Sequence, residues 1–132
     1  MITEKDNLGI MIHMQRTLQE RAYGYSFSEM DIKDRVAFIK EMSIHATQEM
    51  HEMMYELPFF KPWKDYSTMT EDEINIAMDK AREEYIDFVH FFLNIGIALQ
   101  LTSDDILKGY SSKNYENYRR QTEGYTHDVS YR

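Results

Sequence analysis

Residues 83–99 read EEYIDFVHFFLNIGIAL, and this stretch decides the fold. It lacks the alternation of a strand, and apolar side chains fall on nearly every face of a helix drawn through it. A helix apolar almost all round is buried among others. Yet Glu84 and Asp87 stand one turn apart in it, and Asn94 shares their stripe two turns on. A carboxylate beside buried apolar surface is costly unless it is paired or bound to a metal. Lys80 or an arginine offers the first remedy, and a cation the second.

Outward from this stretch the chain stays helical. Thr70-Glu71-Asp72-Glu73 is a capping box that starts the same helix, which runs to about Leu101. Thr102, with Asp105 three residues on, starts a fourth helix reaching about Gln121. The only two prolines, Pro58 and Pro62, fall in an aromatic-rich connection over 58–69. The second helix stops at Leu57, because the residue before a proline is pushed out of the helical region. Its start is read at Ser28, with Asp31 three residues later. The first helix spans Lys5 to Tyr23, capped by Thr3 and ended by Gly24, with Leu8, Met11, Ile12 and Leu18 close to helical spacing. The expectation is an all-α protein, a four-to-five-helix bundle. It forms one domain over 1–125 with a flexible tail at 126–132.

Composition narrows the chemistry. The 132 residues are 42% hydrophobic, enough for a core but little depth in which to hide a site. The net charge of -8 argues against a nucleic-acid partner, which calls for a basic footprint. It leaves phosphate substrates open, since carboxylates bind Mg²⁺ and Mg²⁺ binds phosphates. With no cysteine, thiolate sites and cysteine nucleophiles are excluded. MITEKDNLGI lacks the features of a signal peptide, and the apolar run Phe88–Leu101 is too short to span a membrane.

The second helix ends in EMHEMMYELPFFKPWK, residues 49–64. Glu49, Glu52 and Glu56 share one stripe, with His45 a turn earlier. Alone, that stripe is an ordinary solvated face. Two helices that each carry an acidic i, i+3 pair can instead bring four carboxylates to one point, where cations must separate them. Hard oxygen ligands select Mg²⁺ or Mn²⁺. Two such ions about 3.5–4 Å apart clamp a phosphoryl group. A di-iron bundle needs Glu-x-x-His pairs, and Gln48-x-x-His51 and Asp87-x-x-His90 lack the glutamate. His127-Asp128 stands in the tail without supporting histidines. On the fourth helix Lys113, Asn117, Arg120 and Gln121 recur on one side. They suit phosphate and base or sugar groups, or form a plain polar face.

Glu49-x-x-Glu52 followed by Glu84-x-x-Asp87 resembles the E-x-x-E … E-x-x-D signature of the all-α nucleoside triphosphate pyrophosphatases. ELPFFKPWK, FVHFFLNIGIALQLT and SKNYENYRRQ are most similar to the dimeric dUTPase-like branch, common in bacteriophages, over roughly residues 8–125. The resemblance implies cleavage of a deoxynucleoside triphosphate to the monophosphate and pyrophosphate by a homodimer. It implies at least two Mg²⁺ ions on Glu49, Glu52, Glu84 and Asp87, with Mn²⁺ an alternative, and Glu49 taking a proton from water. Gln15 and Asn94 would meet the nucleoside. Lys113, Asn117 and Arg120 would meet the triphosphate or sugar, and Trp63 and Lys64 would belong to a closing loop. dUTP is the first substrate implied, with dCTP or a modified pyrimidine nucleotide next. A non-catalytic nucleotide-binding helical module is the other alternative. The setting implied is cytoplasmic, the host cytoplasm for a phage protein, with no membrane partner. One departure stands out: 31 residues separate Glu52 from Glu84, a long gap for this signature, with the extra length expected over Asp65–Asp72.

Overall fold

The computed structural model describes residues 6–124. Four helices run in order: α1 Asn7–Ala22, α2 Ile32–Glu56, α3 Glu71–Ala98 and α4 Ser103–Glu123, with a 3₁₀ turn at Phe27–Glu29. No strand occurs among the described residues, and the all-α expectation holds. Two compact units divide at Gln100, the first with α1 to α3 and the second with α4. No single helix is long and apolar enough to cross a membrane.

Helix ends follow local chemistry. Pro58 stops α2, and Leu57 is extended at φ -66°, ψ 130°. Thr70 and Glu73 close a reciprocal capping box on α3, and Thr102 and Asp105 do the same on α4. Two starts differ from the sequence reading. The expected cap Thr3 lies outside the described residues, and α1 is capped by Asp6, whose carboxylate accepts from the Gly9 N–H at 2.8 Å. Asp31, not Ser28, caps α2, since Asp34 three residues on completes its box. Ser28 falls within the 3₁₀ turn. The third helix ends at Ala98 rather than Leu101, because Gln100 takes a left-handed backbone at φ 62°.

In the first unit α2 and α3 lie antiparallel, and α1 packs on α3. Phe27, Phe38, Met42, Ile97 and Ala98 form the buried core. Phe27 and Phe38 meet edge to face at 5.2 Å, and Tyr25 meets Phe38 at 4.8 Å. Arg35 fastens this end, donating to the carbonyls of Phe27 at 2.7 Å and Ala98 at 3.3 Å. The last turn of α3 thereby gains a partner for a carbonyl that its own helix leaves open. The middle of α3 is less covered than its composition predicts: Tyr85, Ile86 and Phe92 are each more than half exposed. Its neighbours α2 and α1 bury only part of its circumference.

In the second unit, α4 buries no residue. Arg119 ties the helix to itself, donating to Glu116 at 2.9 Å and to Glu123 at 2.8 Å. The helix stops at Gly124, whose φ of 88° suits a residue without Cβ. The proposed tail and the His127-Asp128 pair lie outside the described residues.

Candidate active site

The antiparallel register of α2 and α3 builds the site. Phe38 packs in the core with Ala98, Met42 bonds Asn94, His45 stacks on Phe91, and Glu49 faces the stretch from Glu84 to Asp87. The paired numbers rise on one helix as they fall on the other, as antiparallel packing requires. Carried one step further, the same register sets Glu52 against Glu84. A helix turn advances about 5.4 Å. The pair is therefore a ladder whose rungs change from apolar, to amide, to ring, to carboxylate.

At the carboxylate rung, Glu49, Glu52 and Glu84 each offer an oxygen within 4.8 Å of the others. Burial raises Glu49 from an ordinary 4.5 to about 7, helped by hydrogen bonding with Glu84 and Glu52 and by the charges of Glu52 and Asp87. Glu84 is raised on balance. Its hydrogen bond with Glu49 pulls it down, but burial and the carboxylates of Glu52 and Asp87 outweigh that. One oxygen of Glu49 and one of Glu84 are buried without a hydrogen-bond partner. Like charges held together with buried unsatisfied oxygens are what a bound cation relieves. An oxygen-only donor set fits Mg²⁺ or Mn²⁺.

A cavity of about 480 Å³ opens beside this rung, with Glu49 and Asp87 in its wall. Its wall also includes Gln15 and Gln19 of α1 together with Asn94 of α3. These amides are only 5%, 6% and 1% exposed. The Asn94 amide nitrogen donates to the Met42 sulfur at 3.3 Å, while its carbonyl oxygen has no partner. His45 and Phe91 line the middle of the same cavity, with ring centres 5.2 Å apart and planes 28° apart.

The structure thus brings Glu49, Glu52 and Glu84 together, and places Asp87, Gln15 and Asn94 on the adjoining cavity. Trp63 and Lys64 stand on the α2–α3 connection, outside the cavity wall. Trp63 is 76% exposed, and the Lys64 amine lies 5.6 Å above the Tyr66 ring. Lys113, Asn117 and Arg120 fall on α4, a turn apart along one side. Sequence reasoning missed Gln19 and gave His45 no role. Gln19 repeats Gln15 at i+4 and His45 precedes Glu49 by the same spacing, so helical periodicity was the available signal. The long gap between the acidic pairs is shared between the connection and the first turns of α3, which begin at Glu71.

Comparison with known proteins makes the chain a nucleoside triphosphate pyrophosphatase of the all-α kind. Residues 7–103 match the family model described as dUTPase, and the chain belongs to that all-α family. It is 31% identical to a dCTP pyrophosphatase of Enterobacteria phage LZ5, over 91% of this chain and 83% of that protein. It is 29% identical to a dCTP pyrophosphatase of Enterobacteria phage T4, over 92% of this chain and 84% of that one. No solved structure matches the chain.

Proposed function

We propose that this chain hydrolyses a pyrimidine deoxynucleoside triphosphate to the monophosphate and pyrophosphate, with Mg²⁺ as its metal. The observation that carries the reading is one cavity whose wall holds Glu49 and Asp87 and, two turns along the α2–α3 register, Asn94 bonded to Met42, together with the buried amides of Gln15 and Gln19. Phosphates belong at the carboxylate end, once cations intervene, and a base at the amide end. Amides supply both donors and acceptors for the edge of a pyrimidine. Both phage relatives are named for dCTP and the family description names dUTP. We rank dCTP first and dUTP beside it.

In this reading Glu49, Glu52, Glu84 and Asp87 would hold two ions, and Mn²⁺ would serve in place of Mg²⁺. When bound, the ions neutralise phosphate oxygens and make a water more acidic. Glu49, which interacts with each of the other three carboxylates, would take a proton from the attacking water. Gln15 and Asn94 orient the nucleoside. Lys113, Asn117 and Arg120 serve the triphosphate and Trp63 and Lys64 cover it, as the sequence resemblance implies. Tyr85, Ile86 and Phe92 on α3 give a homodimer an apolar face to bury. A pyrophosphate-release screen over the common deoxynucleoside triphosphates tests the reading. Release from dCTP or dUTP with Mg²⁺, and none with a chelator, is expected. Turnover of purine nucleotides alone, or turnover indifferent to chelator, would overturn it.

A further inference from the structure

We propose that His45 reads the sugar of the substrate by hydrogen-bonding its 3′-hydroxyl. The inference rests on the orientation given above, phosphates at the carboxylates and base at the amides. The cavity then has a middle. His45 lies one turn from Glu49 on α2, and Phe91 one turn from Asp87 on α3, each rise being about 5.4 Å. A nucleotide stretched from the amides to the carboxylates sets its deoxyribose against these two rings.

The pair divides the work by chemistry. Phe91 offers only an apolar face, which suits the carbon side of a furanose. His45 carries two ring nitrogens, one a donor and one an acceptor in the neutral form. The ring is fixed by its stack on Phe91 at 5.2 Å, yet its side chain remains 42% exposed. Its Nε2 lies 3.8 Å from the Glu41 carboxylate, beyond hydrogen-bond reach. The imidazole is therefore held in place on the cavity wall with bonding capacity to spare. A 5′-triphosphate of 2′-deoxyribose has a single free hydroxyl on its sugar, at C3′. A hydroxyl both donates and accepts, so it can meet either nitrogen, and the contact does not depend on protonation of the histidine.

The test compares a deoxynucleoside triphosphate with its 2′,3′-dideoxy analogue, by kcat/KM and, separately, by Kd of the two monophosphates. The wild-type protein is expected to favour the deoxy compound about tenfold in both, the scale of one well-placed hydrogen bond. His45→Phe keeps a ring on Phe91 and should bring both ratios near one. His45→Asn restores a donor and should recover part of the preference, and a matching thermal midpoint shows that each variant folds. His90→Phe, on the same cavity, should leave the ratios as in the wild type. A preference that survives in His45→Phe, or is absent from the wild type, overturns the proposal and leaves the pyrophosphatase reading intact. Loss of turnover on pyrimidine nucleotides with the Kd ratio preserved would do the reverse.

Discussion

The two ends of the α2–α3 pair are built from the same backbone and obey opposite rules. At one end Phe27, Phe38, Ile97 and Ala98 are closely packed, and Arg35 satisfies carbonyls at the turn and at the end of α3. At the other end Glu49 and Glu84 keep buried oxygens without partners, and carboxylates crowd one another. The first end holds the helices in register. The second spends that rigidity on an arrangement that could not hold itself together. Stability and chemistry are separated along one axis, about three turns apart.

Breaking the carboxylate end should leave the core end untouched. Asp87→Asn should lower turnover by more than about 100-fold, since even residues behind metal ligands cost 10- to 100-fold. Its thermal midpoint should hold or rise, because one of the crowded charges is gone. Full activity in Asp87→Asn would remove the carboxylates from the site. The reverse experiment strikes the core. Phe27→Ala should cost about 3–5 kcal/mol in denaturant unfolding, while the molecules that remain folded keep their activity. A cost near zero would mean that the aromatic cluster does not set the register.

A gentler probe separates the ends by pH. Glu49 sits at about 7 in the folded chain against an ordinary 4.5. Below 4.5 folded and unfolded chains are both protonated there, and the site contributes no difference. Between the two values the unfolded chain releases its proton and the folded chain keeps it, so rising pH favours unfolding. With a chelator present, the thermal midpoint should fall from pH 4.5 towards pH 7. Added Mg²⁺ should restore it most strongly at the upper end, because an ion that binds only the folded carboxylates stabilises that state. A midpoint that rises with pH under chelator would contradict the charge crowding.

Local signals were legible in the sequence and relational ones were not. Pro58, Thr70 and Thr102 fix helix ends through contacts within four residues, and all three act as their sequence context predicts. Ser28 misled because Asp31 also stands three residues ahead of an acid, so two starts fit one pattern, and the reciprocal box formed at Asp31 and Asp34. The exposure of Tyr85 and Phe92 was hidden, because composition says that a helix wants cover without saying which faces receive it. Glu49 and Glu84 were legible as pairs. That Gln19 and His45 line one cavity was only half legible: helical spacing places each beside a residue already singled out, but the cavity itself joins three helices far apart in sequence.

The constant register of α2 against α3 has an evolutionary consequence. The spacing that matters runs from the core to the carboxylates along each helix, and none of it passes through the connection over residues 57–70. Insertions and deletions there leave the register of the clustered carboxylates unchanged, whereas one added residue inside α2 between Met42 and Glu49 would swing the acids about 100° off their partners. Members of such a lineage are therefore free to vary the link between the acidic motifs, while the helical segments from the core to the carboxylates remain fixed in length.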